Sequence, residues 1–311
     1  MREPGQTCGG GYFAQRSRTA AVVHCLVVGL LWLAAMTSAR PATALRDLPS
    51  HRLTIDAHTF HVLRQSIKCE LGGIDGLSIL RLTDCGSATV LRLVDHPATS
   101  VIQFEIKPDD AKISHGTRAE LRDLYEAVNG EETWYRLTTA LPDDFPIERG
   151  QRLVLTQWHE HAGPGGDSLR PPLAHRLIDG ALVLDLWNQA IYDRSNGLAD
   201  GLTIYRDPAF KLGVFHEFVY RIVWNPGPGG VVTGWRRERC LIPQKDCTDG
   251  PWQRFVDYHG PIGYPSVVGY YFKFGAYTTH KFHKPLIVYH ADFERGATAA
   301  AVGATNDIFR H

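Results

Sequence analysis

The chain has 311 residues, a formal charge of zero at pH 7 and 44% hydrophobic residues, which is typical of a folded globular protein and excludes a largely disordered chain. Gly 30 and Pro 18 indicate many turns. Because there is no excess of positive charge, the sequence does not favour nucleic-acid binding, and an anionic ligand would need a local cluster of cations.

The N-terminal segment has the layout of a secretory signal. An apolar run from Ala20 to Met36 follows Arg16 and Arg18 and precedes the small-residue stretch 42–44, so we predict a signal peptide over residues 1–44. The alternative is an uncleaved membrane anchor, for which the run is near the short limit. With the signal cleaved, the mature protein is expected to be secreted or periplasmic and free of the membrane.

The exported part of the chain is slightly acidic and carries four cysteines. Removing residues 1–44 takes away four Arg and one Glu and leaves 29 basic and 32 acidic residues. The remaining cysteines are Cys69, Cys85, Cys240 and Cys247. An even count in an exported chain favours disulfides, and the most local pairing is Cys69–Cys85 with Cys240–Cys247. A metal site is the alternative, but neither pair has the close spacing of zinc ligands.

Short alternating runs separated by Gly, Pro, Asn and Asp predict an all-β fold. We expect one domain over residues 45–295, built as two packed sheets in a sandwich or jelly roll. Helix is expected to be minor, over residues 122–129. The predicted strands are Val101–Ile106, Thr133–Ala140, Leu153–His159, Ala181–Trp187, Glu217–Trp224, Val231–Trp235, Tyr270–Tyr277 and Pro285–Glu294.

Other local signals refine this prediction. The turn sequence at residues 225–230 predicts a hairpin between its flanking strands. Trp134, Trp187 and Trp224 lie in strand patterns and are assigned to the core. Residues 296–311, which are rich in Ala, Gly and Thr, are expected to form a loosely held, flexible tail.

Three stretches carry polar residues that strand alternation would place on one face. They read RAELR at 118–122, QWHEH at 157–161 and YYFKFGAY at 270–277. In the last stretch the intervening residues include Phe272 and Phe274, which can cover a core. The polar faces would present Arg118, Glu120, Arg122, Gln157, His159, His161, Tyr271, Lys273 and Tyr277. Each face taken singly could instead meet only solvent.

Together these side chains suit elimination from a uronic acid polysaccharide. Removing the C5 proton drives negative charge into a carboxylate that is already an anion, so the reaction needs donors at the carboxylate, a base at C5 and an acid at O4. Arg118 and Gln157 suit the carboxylate. His159 suits the base role or a carboxylate contact. The Tyr277 phenol can exchange a proton if cations stabilise its phenolate, and Lys273 lies on the same face.

Two supporting predictions follow from the same residues. Glu120 is expected to pair with an arginine and hold it in position. The chemistry requires no metal and no other cofactor, and a dependence on calcium is left open.

The three motifs, in this order and at this spacing, resemble those of jelly-roll polysaccharide lyases: the alginate lyases, glucuronan lyases and heparin lyase I relatives. The resemblance spans most of residues 116–277, and the flanking sequence is most similar to the glucuronan lyase and heparin lyase I type. The sequence departs from the pattern after Trp224, where residues 233–240 and the Cys240–Cys247 loop replace a Trp followed by a short Asn-Gly turn. Residues 45–100 carry little of the resemblance.

The resemblance implies a concanavalin-like β-jelly roll of two antiparallel sheets, an active site in a concave groove and β-elimination that leaves unsaturated uronate ends. By motif position it implies that His159 and Tyr277 are the catalytic acid/base pair and that Arg118 and Gln157 neutralise the carboxylate. Lys273 would contact the substrate. Arg122, Tyr271 and His161 are expected to be further substrate-binding residues.

The residues leave two other classes of protein open. A carbohydrate-binding jelly roll without catalysis would use the groove but has no reason to keep a base and a phenol at these spacings. A glycoside hydrolase needs two carboxylates at the scissile bond, and the polar face offers Glu120. The expected protein is a monomer that acts on an anionic polysaccharide, which can be glucuronan-, heparin- or alginate-like.

Overall fold

A computed structural model describes the strands at residues 51–52, 60–64, 69–74 and 77–82 and most of residues 100–310. Within the latter range, residues 113–114, 164–165, 167, 198–199, 241–247 and 305 lie outside the description, as do the side chains at 100–102 and 124. The predicted signal peptide also lies outside it. The disulfide pairing stays a prediction, because Cys247, Cys85 and the side chain of Cys69 fall outside the described residues.

The described residues form two sheets, whose strands are numbered in chain order. The nine-stranded sheet contains, in spatial order, β14 (Gln253–His259), β13 (Val231–Arg239), β12 (Phe215–Val223), β7 (Glu132–Ala140), β16 (Leu286–Gly296), β5 (Ser100–Ile106), β4 (Leu77–Leu82) and β3 (Cys69–Ile74), with β1 (His51–Arg52) also paired to β16. The seven-stranded sheet contains β11 (Leu202–Asp207), β10 (Ala181–Leu186), β9 (Leu173–Ile178), β8 (Arg152–Ala162), β15 (Val267–Thr278), β6 (Thr117–Ala127) and β2 (Phe60–Arg64). All pairs are antiparallel except β4 with β5.

The core lies between the two sheets and fixes which face of β15 is turned away from it. Phe272 and Phe274 on β15 are buried and stack on Phe293 of β16, with ring centroids 5.3 Å apart in both cases. Trp158 of β8 packs against Phe272 at 4.9 Å. Because alternate residues of a strand face opposite sides, this packing turns Lys273 to the other face of the sheet.

The eight predicted strands are all present, with ends that differ by a few residues. The predicted hairpin is confirmed, because Val223 of β12 pairs with Val231 of β13 across the turn. Trp134, Trp187 and Trp224 are buried as predicted. Strands β1 to β4, β9, β11 and β14 were not predicted from their sequences.

The helix predicted over residues 122–129 is wrong. Residues 117–127 continue as strand β6, which pairs with β15 on one side and β2 on the other. In the described residues the α-helix is instead α1 (Gln189–Ser195), whose first turn is capped by the Asn188 side chain, which accepts a hydrogen bond from the backbone N–H of Ile191. None of the described helices is long and apolar enough to cross a membrane.

The C-terminal segment packs on the nine-stranded sheet through two short 3-10 helices, Ala300–Val302 and Ile308–Arg310. Val302 and Ile308 are buried in a cluster with Trp134 and Trp235. This packing differs from the loosely held tail that the composition predicted, because a few apolar side chains in a small-residue segment meet an aromatic surface supplied by distant strands.

Candidate active site

Strands β6, β15 and β8 are neighbours, so they bring the three polar motifs side by side. Lys273 on β15 lies opposite Arg122 on β6 and opposite Gln157 on β8. Tyr271, two residues earlier on β15, lies opposite His159. Residues that lie opposite each other in a sheet point to the same face. One row of the sheet therefore presents a guanidinium, an ammonium and an amide, and the next presents a phenol and an imidazole.

The other end of β15 adds Tyr277, which lies opposite Arg118. Between Lys273 and Tyr277 the chain passes through Gly275, whose φ of 142° is rarely adopted by residues with a side chain. A Cβ atom at this position would overlap with the carbonyl oxygen of Ala119. The glycine thus permits the close approach of β6 on which the pairing of Tyr277 with Arg118 depends.

The face formed in this way lines a cavity of about 710 Å³. Seven of the eight residues predicted for the site line it; the exception is His161. Among the described lining residues, six side chains are basic (Arg or Lys) and one is a carboxylate. The cations are Arg118, Arg122, Arg152, Arg170, Arg176 and Lys273, and the carboxylate is Asp200. The cavity therefore favours an anionic ligand.

Glu120 organises two of the cavity residues from beneath. Its Oε2 lies 3.2 Å from Nη1 of Arg118, and its Oε1 accepts a hydrogen bond of 2.6 Å from Nε2 of Gln157. Glu120 is itself buried. The prediction that it pairs with an arginine is confirmed, and the carboxylate also orients the Gln157 amide so that the nitrogen faces Glu120.

His159 is held by the neighbouring carboxylate and by a ring stack. Its Nδ1 lies 2.7 Å from Oε2 of Glu160, and its ring is parallel to that of Tyr271 with centroids 5.5 Å apart. The other oxygen of Glu160 accepts hydrogen bonds from the backbone N–H of Leu169 at 2.5 Å and from Ser168 Oγ at 3.2 Å. Glu160 thus links the imidazole to a loop that lines the cavity.

Tyr277 and Tyr271 each lie beneath an arginine. The Arg118 guanidinium carbon is 4.0 Å from the centroid of the Tyr277 ring, and that of Arg122 is 3.7 Å from the centroid of the Tyr271 ring. Burial raises the pKa of Tyr277, and the positive charge of Arg118 only partly opposes this effect. Burial likewise raises the pKa of Tyr271 to about 12. Both phenols are therefore protonated at neutral pH.

Lys273 forms part of the cavity floor and is only 4% exposed, which is more buried than the wet surface that its sequence pattern suggested. Among the described residues, no carboxylate lies within ion-pairing distance of its Nζ. Burial lowers its pKa, the charge of Glu120 opposes this shift, and the charge of Arg118 adds to it. A buried cation without a direct counter-ion is costly unless an anion binds beside it.

His161 is not brought into the cavity, contrary to its prediction as a substrate-binding residue. It is exposed, and its Nδ1 lies 2.8 Å from Oε2 of Glu126. The other oxygen of that carboxylate accepts a 2.5 Å hydrogen bond from Nη2 of Arg122. Alternation placed His161 on the correct face of β8, but the residue lies beyond the end of the cavity.

Several lining residues were not predicted. Arg152 lies on β8, Arg176 lies on β9, and Arg170 lies in the loop between these strands. Single arginines in such segments look like ordinary surface residues in a sequence. His280 is exposed and also lines the cavity. Among the described residues, no group of three or more His, Cys, Asp or Glu side chains is arranged to hold a metal ion.

A family model described as polysaccharide lyase matches residues 81–294, which is more than half of the chain. The chain belongs to the polysaccharide lyase family. This is the family that the three motifs of the lyase indicated. No match was found among curated proteins.

Comparison with solved structures finds other lyases. The chain is similar to an endo-β-1,4-glucuronan lyase from the fungus Trichoderma reesei, with 15% identity and a TM-score of 0.50 over 78% of this chain and 92% of that chain. An alginate lyase, A1-II′, matches with 12% identity and a TM-score of 0.42 over 64% and 80% of the two chains. The alginate lyase of Aplysia kurodai matches with 14% identity and a TM-score of 0.41 over 64% and 82%. The predicted jelly-roll fold is confirmed.

Proposed function

We propose that this lyase cleaves a uronic-acid-containing polysaccharide by β-elimination and leaves an unsaturated uronate at the new end. The observation that carries the proposal is the composition of the cavity. Six cations and one carboxylate line the same cavity as the His159 imidazole and the Tyr277 phenol, which supplies the charges and proton-transfer groups that this elimination needs.

The substrate carboxylate is assigned to Arg118, Gln157 and Lys273. Arg118 is fixed by Glu120 at 3.2 Å, so little conformational entropy is lost when it binds an anion. Gln157 donates one N–H to Glu120, and its amide nitrogen has a second N–H for the substrate. Lys273 supplies a buried positive charge. Together they would stabilise the extra charge that develops on the carboxylate when C5 loses its proton.

The two proton transfers are assigned to His159 and Tyr277. Nδ1 of His159 lies 3.2 Å from the backbone carbonyl oxygen of Glu160 and close to its carboxylate, which favours the ring proton on Nδ1, so Nε2 of the neutral ring can accept the C5 proton. Electrons from the C5–H bond form the C4–C5 double bond while the C4–O4 bond breaks. Tyr277, which burial keeps protonated, donates its proton to O4. Exchange with solvent then restores both groups.

A retaining or inverting glycosidase is not favoured by the same cavity. Such enzymes need two carboxyl groups across the scissile bond. Among the described lining residues the one carboxylate is Asp200, which is exposed and lies 2.6 Å from Nη1 of Arg152. Glu120 and Glu160 are buried and hold other site residues.

Substrate and location are proposed from the likenesses and from the N-terminal sequence. The similarity in fold to a glucuronan lyase supports a glucuronan-like substrate, and the motif resemblance adds alginate- and heparin-like ones. The signal pattern of residues 1–44 supports export, so the enzyme would meet its polysaccharide as a monomer outside the cytoplasm.

The decisive experiment is a substrate panel. The purified protein is incubated separately with glucuronan, alginate and heparin, and the ultraviolet absorbance of the C4–C5 double bond is followed. We expect absorbance to rise with at least one substrate. New reducing ends without absorbance would indicate hydrolysis, and binding without either signal would indicate a carbohydrate-binding protein; each result contradicts the proposal.

A further inference from the structure

A second group of cations lies at the end of the cavity away from β6. It consists of Arg152, Arg170 and Arg176, which we call the second arginine group. Its position follows from the sheet register, because Tyr277 lies opposite Val154 on β8, and Val154 lies opposite Arg176 on β9. Arg176 is thus two strands from Tyr277, which corresponds to about 10 Å across a sheet.

The charges in this region do not balance among the described residues. Arg152 and Arg176 share one buried carboxylate oxygen, Oδ2 of Asp185, at 3.1 and 3.2 Å. Asp200 also contacts Arg152, but the Asp200 side chain is 80% exposed. The guanidinium of Arg170 donates to the carbonyl oxygen of Gly197 at 2.6 and 2.9 Å and contacts no described carboxylate. Three cations therefore face one buried and one solvated anion.

The buried member of the group is charged under ordinary conditions. Arg176 is 8% exposed, and burial lowers its pKa to about 10, while the charge of Asp185 opposes the shift. The second oxygen of Asp185 accepts a hydrogen bond from Thr203 Oγ1 at 3.2 Å. Asp185 carries one negative charge against the two positive charges of Arg152 and Arg176. An anion entering the cavity would balance the remaining positive charge.

We propose that the second arginine group binds an anionic oxygen group, carboxylate or sulfate, on a sugar next to the reacting uronate. This inference rests on the proposed function, because it takes the reacting sugar to lie between Arg118, Lys273 and Tyr277. A charge about two strand spacings away belongs to a neighbouring sugar. The enzyme would therefore select chains that are charged on consecutive sugars over chains in which the charges are interrupted.

Two variants test the group with opposite signs. Arg170→Gln removes a cation that has no described carboxylate partner and should raise KM for a charged polysaccharide about tenfold, the effect of losing one charge-assisted contact, with kcat changed less than about twofold. Asp200→Asn removes an exposed carboxylate that competes for Arg152 and should lower KM. Arg254→Gln on β14, an exposed arginine that pairs with Asp257 at 3.1 Å, is the matched control and should change neither.

The ligand is identified by binding to the Tyr277→Phe enzyme, which the proposed function expects to turn over too slowly to consume the ligand, measured by calorimetry. One arm compares glucuronan oligosaccharides with the same oligosaccharides after partial reduction of their carboxyl groups, and the other compares heparin oligosaccharides before and after desulfation. We expect native oligosaccharides to have a lower Kd than the modified ones in one arm. Adding Arg170→Gln should reduce the ratio of the two Kd values in that arm about tenfold. A reduced Kd ratio in the glucuronan arm identifies a carboxylate as the bound group, and a reduced ratio in the heparin arm identifies a sulfate.

The inference and the proposed function fail in different ways. If Arg170→Gln and Asp200→Asn both leave KM and the charge preference unchanged while the wild-type enzyme still eliminates, the second arginine group does not bind substrate. If the wild-type enzyme produces no unsaturated ends from any substrate, the proposed function itself fails. One further result would overturn the neighbouring-sugar assignment. In it, KM changes with the expected sign in one variant, but the preference for charged over modified oligosaccharides stays the same.

Discussion

Nδ1 of His159 lies 2.7 Å from Oε2 of Glu160, although the two residues are consecutive on β8. The same nitrogen lies 3.2 Å from the backbone carbonyl oxygen of Glu160. Both neighbours are hydrogen-bond acceptors, so the Nδ1 position carries a proton and Nε2 of the neutral ring is the basic nitrogen. The backbone carbonyl hydrogen bond, reinforced by the nearby carboxylate, favours the tautomer that can accept a proton from the substrate.

Glu160→Gln should disable the base without removing it. The Gln oxygen would take the position that accepts from Leu169 and Ser168, which turns the amide N–H groups toward Nδ1 of His159. These N–H groups would compete with the backbone carbonyl oxygen of residue 160 for Nδ1 and shift the imidazole toward the tautomer protonated on Nε2, which cannot accept the C5 proton. We expect kcat to fall by about 100-fold or more with a smaller change in KM, measured by ultraviolet absorbance across pH.

The pH profile separates this positioning role from a general loss of structure. A merely structural effect would lower the whole profile, whereas loss of the tautomer should also alter its acidic limb. Glu148→Gln is the matched control, because Glu148 lies 2.8 Å from Nδ1 of the exposed His283 outside the cavity. A Glu160→Gln enzyme with wild-type kcat would show that the carboxylate does not set the state of His159.

Tyr277→Phe should remove the proton donor and keep the ring. The Arg118 guanidinium lies over the ring face at 4.0 Å, and a phenyl ring preserves that contact. We expect kcat to fall by about 100-fold or more, because general acid catalysis is worth roughly that much, while circular dichroism and thermal unfolding stay close to wild type. Tyr205→Phe is the control, since Tyr205 lies outside the cavity beneath Arg236 at 5.5 Å. Full activity of Tyr277→Phe would exclude the phenol from the reaction.

The part of this site that depends on strand alternation could be predicted from the sequence. Phe272 and Phe274 alternate with Lys273 and Tyr277, and that alternation alone separates core from cavity. The Gly275 between them reflects a backbone approach that no side chain could allow. Local alternation thus predicted the face, the strand and most of the ligand-facing residues.

The part that depends on distant strands was not readable. Residues 122–129 were predicted as helix, yet Asp123 is buried on β6 by a 2.6 Å contact with Arg295 of β16, a partner 172 positions along the chain. The second arginine group is likewise assembled only by the pairing of β8, β9 and β10. Glu160 was missed because alternation directs it away from His159, whereas the folded side chain reaches back to the imidazole.

Lys273→Met should separate ligand binding from stability. The substitution replaces a buried cation, which has no described ion-pair partner, by an apolar side chain of similar length. Removing the desolvated charge should leave the midpoint of thermal unfolding unchanged or raised, while KM for the polysaccharide rises about tenfold or more through loss of a carboxylate contact. Steady-state kinetics and calorimetry on the same preparation measure both effects.

The control for this substitution is Lys211→Met, since Lys211 is exposed and pairs with Glu238 at 2.6 Å outside the cavity. It should leave KM unchanged. If Lys273→Met instead unfolded at a lower temperature and bound substrate as well as wild type, Lys273 would be a structural residue of the sheet and not a binding group.

Acid should destabilise the fold through His290, which lies under the cavity on β16. Its Nδ1 lies 3.0 Å from Thr139 Oγ1, and its Nε2 lies 3.3 Å from the carbonyl oxygen of Gly275. Burial lowers its pKa from 6.5 to about 4. A folded-state pKa below the unfolded value means that the stability is present above pH 6.5 and is lost as the pH falls toward 4, at up to about 1.4 kcal/mol per pH unit.

We therefore expect the free energy of unfolding to fall between pH 7 and pH 5 in the wild-type protein and to fall less in His290→Gln, measured by denaturant titration at each pH. His175, whose pKa burial lowers to about 3, contributes to the same trend in both proteins, so the variant should retain part of the slope. His259→Gln, at an exposed histidine that contacts Asp257 at 3.2 Å, should not reduce the slope. A buried neutral imidazole takes up a proton when the chain unfolds at pH 5. If the free energy of unfolding fell equally steeply with pH in wild type and His290→Gln, His290 would therefore not be the group responsible.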